Sequence, residues 1–164
     1  MTIALGQLTP VGLVLSPHFT LVALCSAAPL SKRAVFSTTS YNDLSISGGV
    51  AGNAQQEALQ KLGGLPTISR PVNQIANDAE TDAFNVAIDA ADGEEADALQ
   101  RGKIKNKVLK LTATILKLEA QQAQGQDVSE KLATEQQKLQ NNIAQDEEAA
   151  GLASTFLSFD ATTD

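Results

Sequence analysis

Tryptophan is absent from the sequence, and methionine, histidine and cysteine occur once each, at Met1, His18 and Cys25. A disulfide scaffold is therefore excluded. If the N-terminal residues are removed, the remaining chain also lacks a thiol nucleophile, an imidazole base and any His or Cys ligand for zinc. Aromatic residues make up 4% of the chain. Beyond the first residues only Phe36, Tyr41, Phe84, Phe156 and Phe159 carry rings, too few for a platform that stacks bases or sugars, and Phe84 is expected in the core. Bases are scarce as well, 12 Lys plus Arg against 19 Asp plus Glu for a net charge of −7. That balance argues against nucleic acid, whose binding depends on neutralising phosphates with Lys and Arg. No glycine-rich phosphate loop and no Asn-x-Ser or Asn-x-Thr acceptor occurs. The common catalytic bases and nucleophiles being absent, binding is expected rather than turnover, with no cofactor and no metal.

At 164 residues one domain is expected. Phe19 to Ala28 form an apolar run ending in small side chains, the pattern of a signal-peptide core and cleavage region. Cleavage after Ala27 places Cys25 and Ala27 at the two positions the peptidase inspects and avoids a cut directly before Pro29. Lys32-Arg33 is a dibasic pair of the kind a kexin-type protease cuts. The expected order is thus a signal peptide over 1–27, a short propeptide over 28–33 and a mature chain from Ala34. The opening residues depart from the usual leader in having no Lys or Arg before Lys32, which fits a start placed too far upstream. Pro10, Pro17 and His18 interrupt the apolar stretch and oppose a membrane span, which needs about twenty apolar residues. The loss of Lys32 and Arg33 leaves 10 bases against 19 acids, a net of −9. Without cysteine, the mature chain must be held by its core alone, burying roughly two thirds of its surface.

Residues 34–52 are rich in Ser, Thr and Gly and are read as a flexible, irregular arm. Ser37 to Ser47 are favoured as a plain tail, with O-linked sugars as the alternative. The domain is expected to start at Asn53, an N-cap for a helix through Leu62 that stops at Gly63-Gly64. Val72, Ile75, Ala79, Ala83, Val86 and Ala90, at steps of three and four, predict a second helix over 72–91. A third helix over 94–122 carries Ile104, Val108, Leu111, Ile115 and Leu118 as a heptad seam, with Leu109, Leu116 and Ala120 beside it. Gly102 inside that helix costs about 1 kcal/mol relative to Ala. A fourth begins after Asp127 and turns Val128, Leu132, Leu139, Ile143 and Ala150 inward. Leu152, Phe156, Leu157 and Phe159 either extend it or fold back over the bundle end, and residues 160–164 are expected to fray. Long helices and short loops together predict an all-α fold, an antiparallel up-and-down bundle of three to four helices over 53–159 behind the irregular arm. The heptad seam also admits a homodimer through the 94–122 helix.

The stretch Gly93 to Thr114, with Ala83 to Ala91 before it and the Ser26-Ala27-Ala28-Pro29-Leu30-Ser31-Lys32-Arg33 junction, resembles small secreted proteins of filamentous fungi. The similarity runs from about Asp43 to Phe159. It implies a secreted, cysteine-free helical protein at the cell wall or of candidate-effector type. It brings no catalytic motif.

Charge is segregated along the chain. Asp78, Glu80, Asp82, Asp89, Asp92, Glu94, Glu95 and Asp97 form a run without a base. An oxygen-rich calcium loop is the sharper reading of it. The EF-hand spacing fails, since Gly93 at loop position six would put Ile88 at position one. Solvated helix-end charge is the expected role, and a carboxylate pair for sugar hydrolysis would need a cleft that a narrow bundle does not offer. Arg101, Lys103, Lys105, Lys107, Lys110 and Lys117 then follow without an acid. On a helical wheel Lys103, Lys107, Lys110 and Lys117 fall within roughly 80° of one another. This stripe is the candidate site. It suits anionic lipid heads or acidic wall polymer, although the wet face of an amphipathic helix explains it too, and part of it can face the acids of the preceding helix. The expected function is that of a non-catalytic secreted protein binding cell-wall polymer or a host protein. A carrier of lipids or apolar surfaces is the alternative.

Overall fold

The computed structural model describes residues 39–63 and 70–163. The segments expected as signal peptide and propeptide, with the expected processing residues Ala27, Lys32 and Arg33, lie outside the described residues, as do 34–38. The fold is all-α. Its elements are α1 (Tyr41–Leu44), β1 (Gly49–Val50), α2 (Ala54–Gly63), α3 (Arg70–Asp78), a π-helical segment Ala79–Phe84, α4 (Asn85–Ala90), α5 (Gly93–Ala123), α6 (Ser129–Glu148) and β2 (Ala153–Ser154).

Helix α5 is the axis of the bundle, 31 residues and thus about 46 Å long at 1.5 Å per residue. It packs on α2, α3, the π segment, α4, α6 and β2. Val108, Leu111, Ile115 and Leu118 are buried as the heptad predicts, and Leu109 is buried on the adjoining face. Neighbours run antiparallel. The Asn106 amide donates to Ala76 O at 2.8 Å while Asn73 reaches Thr114, so α3 descends as α5 ascends. After the turn at Gly125, where φ is +84°, α6 returns along α5 and buries Leu139 and Ile143. The seam is covered by the chain's own helices, so a homodimer through it would require that packing to open.

The second helix departs from its wheel. Val72, Ile75 and Ala79 are buried as predicted and Phe84 is in the core as expected, but Val86 is 62% exposed. The cause is the π turn, in which Asn85 N–H bonds to Glu80 O five residues back. One extra residue in the turn moves the inward position from Ala83 to Phe84 and carries the rest of the stripe outward.

The arm and the tail are the larger corrections. Tyr41, Leu44 and Ile46 are core residues, exposed by 5% or less. Tyr41 donates to Asn106 Oδ1 at 3.0 Å and its ring meets that of Phe159 edge to face, centroids 5.9 Å apart. Packing is therefore already established at Tyr41, well before Asn53. The C-terminal segment folds back. Gly49 and Val50 pair with Ser154 and Ala153, Tyr41 N–H bonds to Ala161 O at 2.8 Å, and Thr163 N–H bonds to Thr39 O at 2.9 Å. Residues 160–163 are thus tied to the arm rather than frayed. Ser45 and Ser47 face inward, their hydroxyls 2.8 Å apart, so O-linked sugars do not fit there.

Gly102 owes its place to this return. A Cβ there would stand 2.2 Å from Thr155 O and 3.2 Å from Ser47 O. The arm and the C-terminal segment cross α5 where it has no side chain, and Thr155 N–H bonds to Ala98 O at 3.0 Å.

Candidate functional site

The bases of α5 divide into three groups according to what packs against them. Arg101 and Lys105 project under the arm. Lys105 is fully buried, its Nζ bonded to Gly48 O at 2.8 Å, Val50 O at 2.9 Å and Glu57 Oε2 at 2.8 Å. Arg101, 8% exposed, bonds to Ala153 O and to the Glu94 carboxylate. These two cations fasten the arm and β2 to α5. Sequence reasoning did not find that role, because the groups they bind are backbone carbonyls far along the chain.

Lys107 and Lys110, both members of the predicted stripe, meet at Glu80 of the π segment. Glu80 Oε1 is 3.6 Å from Lys107 Nζ, and Oε2 is 2.5 Å from Lys110 Nζ. One carboxylate thus serves two ammonium groups. Lys103 and Lys117 continue the line on either side, half-buried, with no ion-pair partner among the described residues. The structure brings in a further lysine from α6. Lys107, Lys110, Leu111, Glu135, Lys138 and Asn142 line a groove of about 300 Å³ between α5 and α6. Lys138 is 2.9 Å from Glu135. Lys107, Lys110 and Lys138 are met here by two paired acids, Glu80 and Glu135, and Lys103 and Lys117 flank Lys107 and Lys110 on the α5 wheel. Positive charge is in surplus there, on a chain that is acidic overall. The helical wheel of α5 could not place Lys138 of α6 beside Lys107 and Lys110.

A second groove, of about 370 Å³, lies between α1, α2 and the C-terminal segment, with Asn42, Ser45, Glu57, Gln60, Lys61 and Phe156 on its walls. Phe156 is 43% exposed. Lys61 Nζ donates to Asp43 O at 2.7 Å, and Asn42 Oδ1 accepts Phe159 N–H at 3.0 Å.

Tyr41, Ser45, Ser47 and Asn106 make a buried polar network. Burial raises the Tyr41 phenol above its ordinary pKa of 10.0, while hydrogen bonds with Ser45 and Ser47 oppose the shift. Asp146, 2% exposed, caps α2 by accepting Ala54 N–H on Oδ2 at 2.8 Å. Its Oδ1 has no partner among the described residues. Of the acidic run over 78–97, Glu80 and Glu94 are ion-paired with bases of α5. Among the described residues no three His, Cys, Asp or Glu side chains gather where they could share a metal ion. None of the described helices is long and apolar enough to cross a membrane.

Residues 36–158 match the family described as Domain of unknown function (DUF8454), and the chain belongs to that family. No curated protein and no solved structure matches the chain.

Proposed function

We propose that this chain is a non-catalytic secreted protein that acts by binding, at the cell wall or on a host partner, and that it meets acidic groups with the lysine face of α5 and α6. One observation carries this reading: Lys107, Lys110 and Lys138 from two helices line one groove where the acids Glu80 and Glu135 are already paired, and Lys103 and Lys117 extend the same side of the α5 wheel. Such a surplus attracts uronate, phosphate or acidic side chains over about the Debye length, some 8 Å at physiological salt.

The test is binding of the secreted protein to isolated cell walls, alongside the triple variant Lys103→Gln, Lys117→Gln and Lys138→Gln. These positions leave both Glu80 pairs in place. Binding that weakens with added salt and weakens further in the variant is expected. A protein kept inside the cell, or wall binding indifferent to both salt and substitution, would overturn the proposal. Uptake of a fluorescent fatty acid by both forms would replace it with a carrier.

A further inference from the structure

We propose that the groove between α1, α2 and the C-terminal segment is a subsite for an uncharged, polyhydroxylated ligand, a short run of neutral sugar rings. The inference rests on the reading of the chain as a binding protein but uses a different surface, with different chemistry. Its ionic groups oppose and are already engaged. Glu57 is held by Lys105 at 2.8 Å, and Lys61 is held by Asp43 O at 2.7 Å. With one anion and one cation, each committed, the groove has no net charge with which to select an ion.

What it leaves unspent is amide capacity. Because Asn42 Oδ1 takes Phe159 N–H, its Nδ2 is left to donate. Gln60, exposed on α2, has no hydrogen-bond partner for either end of its amide among the described residues. A side-chain amide carries both a donor and an acceptor and so matches a pair of adjacent hydroxyls. Ser45 lies on the same wall with its hydroxyl already engaged by Ser47. Beside these groups stands the Phe156 ring, whose negative face suits the polarised C–H groups of a sugar.

The ring is also held in advance of any ligand. Thr155 N–H is tied to Ala98 O at 3.0 Å and Phe159 N–H to Asn42 at 3.0 Å, so the backbone is fixed on both sides of Phe156. Gly48 lets this segment lie close, since a Cβ there would be 3.1 Å from Phe156 Cβ. Phe159, three residues on, spends its ring on Tyr41, whereas Phe156 keeps its ring in the groove. An exposed aromatic on an anchored backbone, flanked by uncommitted amides, is a small preorganised site of mixed apolar and polar lining.

The experiment is a titration of the isotope-labelled full chain with short neutral oligosaccharides of glucose, of mannose and of N-acetylglucosamine, followed by NMR. Saturable shifts of the Asn42 and Gln60 side-chain amides and of the backbone around Phe156 are expected with at least one of the three, insensitive to salt. Phe156→Ala is expected to weaken that binding about tenfold, the loss of one good aromatic contact, and Phe156→Tyr to preserve it. Gln60→Ala, on an exposed helical face, gives a weakening that does not depend on how Phe156→Ala folds. The lysine triple variant is expected to bind like the parent. Absence of shifts with all three sugars, shifts elsewhere, or binding by Phe156→Ala and Gln60→Ala as tight as the parent's overturns the subsite. Salt-sensitive wall binding that persists alongside such a result leaves the lysine face standing, and sugar binding without salt-sensitive wall binding removes the lysine face instead.

Discussion

Replacing Lys105 with Met tests how the arm is held. Met keeps most of the apolar stem, so packing along α5 changes little. The ammonium is lost, and with it the donor for Gly48 O, Val50 O and Glu57. Glu57 is 32% exposed and regains water, so its share is small. The two carbonyls matter more, each costing roughly 1 to 3 kcal/mol if left without a donor. Val50 is 48% exposed, which places its carbonyl toward the low end. Relief from burying a charge acts the other way, since apolar replacements of whole buried ion pairs are often neutral or better. Here the partners stay behind, so the loss dominates, at about 2 kcal/mol. For a domain of this size that is a fall in Tm of roughly 8 °C. Thermal unfolding followed by circular dichroism reads the magnitude, and hydrogen exchange reads the location. Exchange should quicken at Ala51 and Gly151, whose N–H groups bond across the β1–β2 ribbon to Leu152 O and Ala51 O, and stay slow in the middle of α5. An unchanged Tm with unchanged exchange at these amides would refute the reasoning.

Gly102→Ala should destabilise the chain by about 2 kcal/mol even though helix propensity alone favours Ala by about 1 kcal/mol, because the new methyl displaces Thr155 from α5. A variant more stable than the parent would show that the C-terminal segment yields easily. Tyr41 is the only tyrosine, so tyrosinate absorbance titrates this one phenol. Its folded pKa is raised above 10.0, so its stabilisation is intact below pH about 10 and is lost as pH rises from there through the folded value. Tyrosinate should appear together with loss of helix, and tyrosinate formed at the ordinary pKa with the helices intact would refute the burial. Tyr41→Phe should remove this part of the alkaline loss, which assigns it to the phenol. It should also cost about 1 to 3 kcal/mol at neutral pH by leaving Asn106 Oδ1 without its donor.

What could be read from the sequence was whatever repeats along a helix. Leu111 and Ile115 are buried where the heptad put them, and α5 extends one residue beyond each predicted end, because a long amphipathic pattern averages over local exceptions. The π turn is such an exception, and a wheel of fixed pitch necessarily pointed Val86 inward where the chain uses Phe84. The arm was hidden for a different reason. Tyr41, Leu44 and Ile46 are three apolar residues among serines and threonines, and composition outweighs them. Their partners, Asn106 and Phe159, stand 65 and 118 residues along the chain from Tyr41, beyond the reach of any local window. The candidate site combines both situations. The wheel separated Lys103, Lys107, Lys110 and Lys117 from Lys105 correctly, yet it gave all four stripe lysines equal standing. Glu80 engages Lys107 and Lys110, leaving the end positions Lys103 and Lys117 as the uncommitted cations of α5, and α6 adds Lys138 across the groove. The charge left unpaired on this face is therefore set by how the π segment, α5 and α6 pack, not by the run of lysines on α5, and a variant that neutralises Lys107 and Lys110 would mainly strand Glu80.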